Sequence, residues 1–481
     1  MEATYGQISK NILSYIPSKL LVVINVLFII PLLSHLYSEK EMSFYFVAIY
    51  LLNVMCTCTS DWITKTVTRF HEKYNLNQSL DDFYSSIFWL ILLANILISI
   101  IFVASFGVLA THFGVSNSLL LQTLCLLLPC GIRQFLFQFL RVTNRSFIYT
   151  SAIFLYQVFF IALIVILHKF SCEATYIILA MNIAIMLVDI FIVRMTKMDY
   201  KIKFVFDKDI IFNIFKYGSP LIVTNICYWL TLHFSKLYFQ EHGLFLCTAI
   251  LGVCMLLVNN IIQSVASSFI FATFPVIVEQ YEHKKDVKKY WTMTLQLYLF
   301  FMLPVVMTFC FMSNEITRVF LPEKYLIGAV TLPLFALSGF LHEFLKLVTV
   351  KYHLTNVTYT ESFISVLIVS CSIILNLFLI NSYELLGAAL ALFITELLFL
   401  VVNVTVKVNR FEDFSILSTL RTLLFLITVG LFSYLCVVCI VNILSHFTNN
   451  VLLIDIFKII SYIAICCCSC FVFRNKILKY L

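Results

Sequence analysis

Residues 385–406 read LLGAALALFITELLFLVVNVTV, twenty-two positions carrying one ionisable group, Glu396. As a helix rising about 1.5 Å per residue, this run measures about 33 Å. That is enough to cross a hydrocarbon layer of about 30 Å. Working outward, comparable apolar stretches fill the chain at 11–36, 43–63, 83–111, 116–140, 148–168, 173–194, 217–240, 244–275, 287–312, 327–350, 362–380, 385–406, 418–443 and 452–473. Continuous runs of this length argue for helices, because the strands of a barrel would be shorter and would alternate. The expected fold is an all-α integral membrane protein with about 14 transmembrane helices. The second, sixth and fourteenth stretches are the least apolar, since they hold Asp61, Asp189, and Asp455 with Lys458. The first follows Lys10 without a short apolar core ending in a small-residue cleavage site. It is read as an uncleaved span.

Composition agrees with this reading. The chain is 62% hydrophobic and 12% charged, where a soluble domain carries about 25% charged residues. Of the 32 Lys and Arg, 24 fall in the N-terminus, at the even-numbered gaps or in the C-terminal tail. Only Lys40, Lys169, Arg318 and Lys324 fall in odd-numbered gaps, and Lys19, Arg133, Lys236 and Lys458 lie inside spans. The positive-inside rule then places both termini in the cytoplasm. This bias accounts for the net charge of +7, and no nucleic-acid partner is required. Four Asn-x-Ser/Thr sequons, at Asn77, Asn144, Asn356 and Asn403, sit in cytoplasmic loops or at membrane ends, so glycosylation is not expected. The sixteen Cys lie nearly all within spans and read as small apolar packing residues. The ten His show no metal-ligand spacing. His342 beside Glu343 is the one of interest. Neither a metal nor a cofactor is expected.

The longest polar cytoplasmic stretch, Lys197 to Lys216, divides the chain. It suggests an N-terminal lobe of six spans (1–196), a linker (197–216), a second lobe of six spans (217–406), and a final helix pair with a tail (407–481). An even number of spans per lobe permits a parallel pseudo-two-fold arrangement with a site between lobes. Val23-Ile24-Asn25 and Val223-Thr224-Asn225 are a short echo between the lobes. Six prolines fall within spans, and Pro17 and Pro220, each at the start of a lobe, are the candidate bending points.

Several stretches resemble the Wzx-type polysaccharide flippases of the multidrug/oligosaccharidyl-lipid/polysaccharide exporter superfamily. They are Ile214-Phe215-Lys216-Tyr217-Gly218-Ser219-Pro220-Leu221, then Ser235-Lys236-Leu237-Tyr238, where the family commonly has Asp before the basic residue. Next come Ile374-Leu375-Asn376-Leu377-Phe378-Leu379-Ile380 with Leu386-Gly387-Ala388-Ala389-Leu390-Ala391. The last is the first hairpin, Pro31-Leu32-Leu33-Ser34 to Phe44-Tyr45, with Arg69 after the second span. The family's glycine-rich end of the second span is replaced by Thr59-Ser60-Asp61-Trp62. The resemblance implies a two-lobe transporter of the bacterial inner membrane. Such a transporter moves a prenyl-pyrophosphate-linked oligosaccharide to the outer leaflet, among membrane lipids, with glycan polymerase and glycosyltransferases as candidate partners.

An ionisable group in a span costs about 2.5–3.5 kcal/mol at the helix centre on insertion scales and so faces a cavity or a partner. Here the candidates, within spans or near their ends, are Lys19, Asp61, Arg133, Asp189, Lys236, Glu343, Lys346 and Glu396. For an anionic cargo, Lys19, Arg133 and Lys236 are the substrate-binding candidates. Asp61 and Glu396 are candidates for ion coupling or charge pairing. Tyr156 and Trp229 are candidates for stacking on sugars. Three rival functions are a drug exporter of the same superfamily, a flippase for another lipid precursor, and a membrane glycan polymerase or ligase. A cation exporter would favour carboxylates over Lys and Arg. An enzyme would display a large outer loop or a His motif, and no catalytic residue is proposed.

Overall fold

The computed structural model describes residues 21–23, 26–76, 78–143, 145–196, 203–204, 207–282, 287–354, 358–406, 416–444 and 451–478. Lys19, Pro17 and Asn25 lie outside them. The described residues form helices α1 (26–36), α2 (Glu39–Cys56), a π segment (Thr57–Asp61), α3 (Trp62–Leu76), α4 (Leu80–Ala104) and α5 (Phe106–Phe113). These are followed by α6 (Asn117–Val142), α7 (Ser146–His168), α8 (Ala174–Thr196), α9 (Lys208–Glu241) and α10 (Phe245–Glu282). The chain continues through α11 (Val287–Phe311), α12 (Ser313–Phe320), a 3₁₀ segment (Glu323–Val330), α13 (Leu332–Leu354), α14 (Thr358–Thr405), α15 (Ile416–Leu444) and α16 (Val451–Leu478).

Among the described residues, ten helices are long and apolar enough to cross a membrane. The protein is a multi-pass, all-α membrane protein. One of the ten, α14, contains a break at Glu384, whose φ of 46° and ψ of −120° leave the helical region. Helix starts follow capping chemistry: Ser38, Ser116 and Asp207 each accept a hydrogen bond from a first-turn amide. The exposed faces are apolar. Leu97, Ile100 and Ile101 on α4, and Ile374 and Phe378 on α14, point outward, as lipid-facing residues must.

The structure departs from the sequence reading at several places, among them residues 208–216 of the expected linker, which open α9. The stretch 83–111 is broken at Ser105 into α4 and the short α5. Residues 313–320, expected as an outer loop, form α12. Pro333 falls in the first turn of α13 rather than mid-span, where a missing amide hydrogen costs nothing.

Helix packing groups the chain into two units. One unit holds Leu36–Gly252 and Glu361–Ile373. In it α8 packs on α6 and α7, and α3 lies against α6 and α9. Its apolar core includes Trp62, Phe83, Phe139, Val188 and Ile214. A Cβ at Gly218 on α9 would strike the Trp62 indole, so glycine is what allows α9 to close on α3. The other unit holds Met1–His35, Val253–Thr360 and Ile374–Leu481, with α11 packed on α13, α15 and α16. Here Gly387 lies just after the break in α14, and a Cβ on it would run into the Leu379 carbonyl.

In the same unit α12 is clamped to α16 by charge. Arg318 Nε lies 3.1 Å from Asp455 Oδ2, and Lys458 Nζ lies 3.1 Å from Glu315 Oε1. This pairing explains why Asp455 and Lys458 are tolerated in an apolar helix. The Gly387→Val variant is expected to lose about 1–3 kcal/mol, as overpacking does, read as a lower melting temperature in detergent. The Asp455 side chain is 2% exposed and Arg318 42%. Asp455→Asn is therefore expected to cost about 1–2 kcal/mol, below the range for a fully buried broken pair. Arg318→Leu combined with Asp455→Leu should recover most of that loss. A melting curve for D455N that overlays wild type would show that the clamp carries no stability.

Candidate functional site

The polar groups of the first unit gather where α2 passes into α3. Five residues there, Thr57–Asp61, form a π segment. Such a turn inserts one extra residue and is frequent at functional sites. It occupies the place where the resembled family has a glycine-rich end. Thr57 Oγ1 donates to Asp61 Oδ2 at 3.3 Å, and Ser60 Oγ donates to Gln134 Oε1 of α6 at 2.8 Å. Gln134 also hydrogen-bonds Asp61, and the charge of Lys65 reaches that carboxylate. Lys65 Nζ donates to Asn225 Oδ1 of α9 at 3.2 Å, and its charge also reaches Glu361 at the start of α14. One step along α9, Thr224 and Ser362 share a hydroxyl hydrogen bond of 3.0 Å. Ser362 Oγ donates to the Pro220 carbonyl at 3.1 Å. Pro220 thus sits in this cluster, inside α9.

Arg133 precedes Gln134 on α6. Its guanidinium carbon lies 5.0 Å from the Tyr156 ring centroid on α7, and it also engages the Tyr156 hydroxyl. Among the described residues it makes no direct ion pair. The carboxylate whose field reaches it is Asp189 on α8, a buried group whose Oδ1 has no hydrogen-bond partner among the described residues. The thiols of Cys56 and Cys130, hydrogen-bonded to each other, lie beside it.

Lys236 is on α9 and is 1% exposed. Its ammonium donates to the Leu232 carbonyl and lies 5.4 Å from the Tyr50 ring centroid. Tyr50 stacks on His233 with centroids 4.1 Å apart. Trp229 Nε1 donates to the Tyr50 carbonyl at 2.9 Å, so its N–H is engaged in holding α2 to α9. Arg133 and Lys236 thus share one unit, but each has its own aromatic neighbour.

Glu396 belongs to the other unit. It is 2% exposed and sits 3.3 Å from His342 Nδ1. Next to His342, Glu343 pairs with Lys346 at 2.6 Å. Among the described residues no group of three metal-ligating side chains occurs. Sequence reasoning missed Lys65, Gln134, Asn225 and Glu361. Lys65 lies beyond the apolar stretch 43–63, although α3 runs on to Leu76. The spacing of Asp61 and Lys65, four apart on one helix, was the available signal.

No curated protein matches the chain. In fold it is similar to the lipid II flippase MurJ in an inward closed conformation. The TM-score is 0.65 with 16% identity, covering 96% of this chain and 98% of that one. It is similar to the eukaryotic MATE transporter AtDTX14, with a TM-score of 0.58, 12% identity, and 84% and 94% of the two chains covered. A MOP superfamily transporter from Pyrococcus furiosus gives 0.54, 13%, and 83% and 95%. These structures share the fold of membrane flippases and transporters. Residues 72–330, a little over half the chain, match the family model described as Polysaccharide biosynthesis protein, and the chain belongs to that family.

Proposed function

We propose that this protein is a flippase that moves a prenyl-pyrophosphate-linked oligosaccharide from the cytoplasmic to the outer leaflet of a bacterial inner membrane. The carrying observation is Arg133, a cation inside a membrane helix that is held by a tyrosine ring and makes no direct ion pair among the described residues. A guanidinium left with unused donors suits the oxygens of a pyrophosphate, which it can grip in bidentate fashion. A pocket of reversed polarity suggests a different function for the transporter from Pyrococcus furiosus. The same criterion applied here favours an anionic cargo over a cationic drug, because Asp61 is already occupied by Thr57, Gln134 and the field of Lys65.

In this reading fourteen spans form two lobes of six and a final pair, both termini are cytoplasmic, and the lobes alternate access to the two leaflets. Lys19 and Lys236 join Arg133 as head-group ligands. Glu396 with His342 forms the ion-coupling pair, since the imidazole can share a proton with the carboxylate at 3.3 Å.

Arg133→Ala is expected to lower surface display of glycan at least tenfold with normal protein in the membrane. Arg133→Lys should recover only part of it, because an ammonium cannot reproduce the planar fork. Full display from R133A at native expression would remove Arg133 from the site. Glu396→Gln is expected to abolish the dependence of flipping on a proton gradient while leaving substrate affinity unchanged. An unaltered gradient dependence would rule out the pair as the coupling site. A reporter fused after Leu481 should behave as cytoplasmic, and a periplasmic signal would overturn the proposed topology.

A further inference from the structure

Two hydroxyls and a carbonyl meet where the start of α14 rests on α9. Thr224 and Ser362 share a hydrogen bond of 3.0 Å, and Ser362 Oγ donates to the Pro220 carbonyl at 3.1 Å. Thr224 Oγ1 also reaches that carbonyl, at 3.5 Å. Pro220, Thr224 and Ser362 are all half-buried. Beside them Lys65 of α3 donates to Asn225 at 3.2 Å, so α9 is itself tied down at this level.

Both helices are softened near the contact. Pro220 has no N–H to give to the carbonyl of Lys216, one turn back. On α14, Ser365 and Ser370 turn their hydroxyls back to the carbonyls of Glu361 and Val366, at 2.8 and 2.9 Å. Such back-bonding slightly destabilises a helix and often bends it. Packing changes over the same stretch. Residues 361–373 belong to the first unit, whereas α14 from Ile374 onward belongs to the other. The part of α14 that packs with the first unit is therefore the part that carries Ser362.

We propose that Thr224, Ser362 and the Pro220 carbonyl form a releasable latch, which holds the start of α14 on α9 and opens in each transport cycle. This inference rests on the alternating-access reading given above. The chemistry suits release. The three oxygens carry no charge, and a neutral hydrogen bond is roughly half as strong as a charge-assisted one. A hydroxyl rotates freely and both donates and accepts, so on release it can turn to another partner or to water. Opening strands no buried charge. The clamp of α12 on α16 is built the other way, from four charged side chains, and parting it would leave charge unpaired in an apolar setting. Charge holds helices that stay together, and hydroxyls hold one that lets go. Thr224 and Ser362 are thus positioning residues, and they act on the rate of movement rather than on capture of the cargo.

The test uses the full-length protein. Thr224→Cys with Ser362→Cys places two thiols at the latch, where the native oxygens lie 3.0 Å apart, and wild type with its own thiols is the control. In proteoliposomes, oxidation by copper phenanthroline is expected to join positions 224 and 362, read as a linked peptide pair by mass spectrometry. The linked protein should flip a fluorescent polyprenyl pyrophosphate at least tenfold more slowly, and dithiothreitol should restore the rate. Binding of the probe in detergent should stay within about twofold, which separates a locked latch from a damaged head-group site. Linked protein that flips at the unlinked rate overturns the latch. Thr224→Val with Ser362→Ala nearly preserves shape and removes both hydroxyls. This variant is expected to speed amide hydrogen exchange at residues 358–366 at least fivefold and to leave 385–405 unchanged. Unchanged exchange at 358–366 also overturns the latch, and it decides the matter if the cysteine pair does not link or does not accumulate. Wild type that fails to flip the probe overturns the cargo reading instead, and the exchange measurement then judges the latch by itself.

Discussion

The first unit turns on the hydrogen bonds that Gln134 makes across from α6 to the π segment. A lone carboxylate inside a membrane helix is costly, and so is an unsatisfied amide. Gln134 settles both, accepting from Ser60 at 2.8 Å and donating to Asp61. The extra residue of the π segment matters here. In a regular α-helix, neighbouring side chains diverge by about 100° and do not face one partner together. The wider turn lets Ser60 and Asp61 address one side chain on α6. With α3 fixed to α6 in this way, Arg133 is held one residue from the contact, facing Tyr156 on α7. Further along α3, Lys65 faces Asn225 on α9. If Gln134 moved, Arg133, Asp61 and Lys65 would all lose their positions.

The in-span charges fall into two physical kinds. Some are paired with opposite charge: Arg318 and Lys458 with Asp455 and Glu315, and Lys346 with Glu343. Lys351 is different in partner but similar in result, donating at 2.7 Å to the Asn403 carbonyl and also to that of Val406. Cations suit the end of a helix, where carbonyls lack internal partners and the dipole is negative. These charges hold helices together. Arg133 is of the second kind, set against the Tyr156 ring with no direct ion pair among the described residues.

Much of the architecture is legible in the sequence because lipid leaves few choices. Backbone groups must be satisfied within the segment, so a long apolar run has to be helical. The extra short helices α5 and α12 are not legible that way, since each depends on what it packs against rather than on hydropathy. Arg133, Lys236 and Asp61 stood out as ionisable groups in apolar runs. Their surroundings did not, because those come from residues far apart in the chain: Ser60 meets Gln134 across 74 positions and His342 meets Glu396 across 54. Gly218 and Gly387 were visible as family-like motifs, but their reason is steric and appears only once Trp62 and the Leu379 carbonyl are placed. The replacement of the glycine-rich end by Thr59-Ser60-Asp61-Trp62 looked like a departure from the family. In the structure those residues supply the π segment and the indole that Gly218 accommodates.

The choice of an aromatic over an acidic direct partner for Arg133 has an energetic consequence. Removing one member of a buried ion pair costs about 3–5 kcal/mol, and an incoming anion that displaced a carboxylate would have to overcome a penalty of that order. A cation–π contact is worth about 0.5–2 kcal/mol and need not be broken, because a ring covers only one face of a guanidinium. The in-plane donors of Arg133 stay available to a phosphate while Tyr156 keeps its face. Asp189 stands near enough to lower the electrostatic cost of burying the guanidinium, yet makes no direct contact that would use its donors. This arrangement keeps a charge in the membrane and leaves it able to bind, which tight pairing with a carboxylate would prevent.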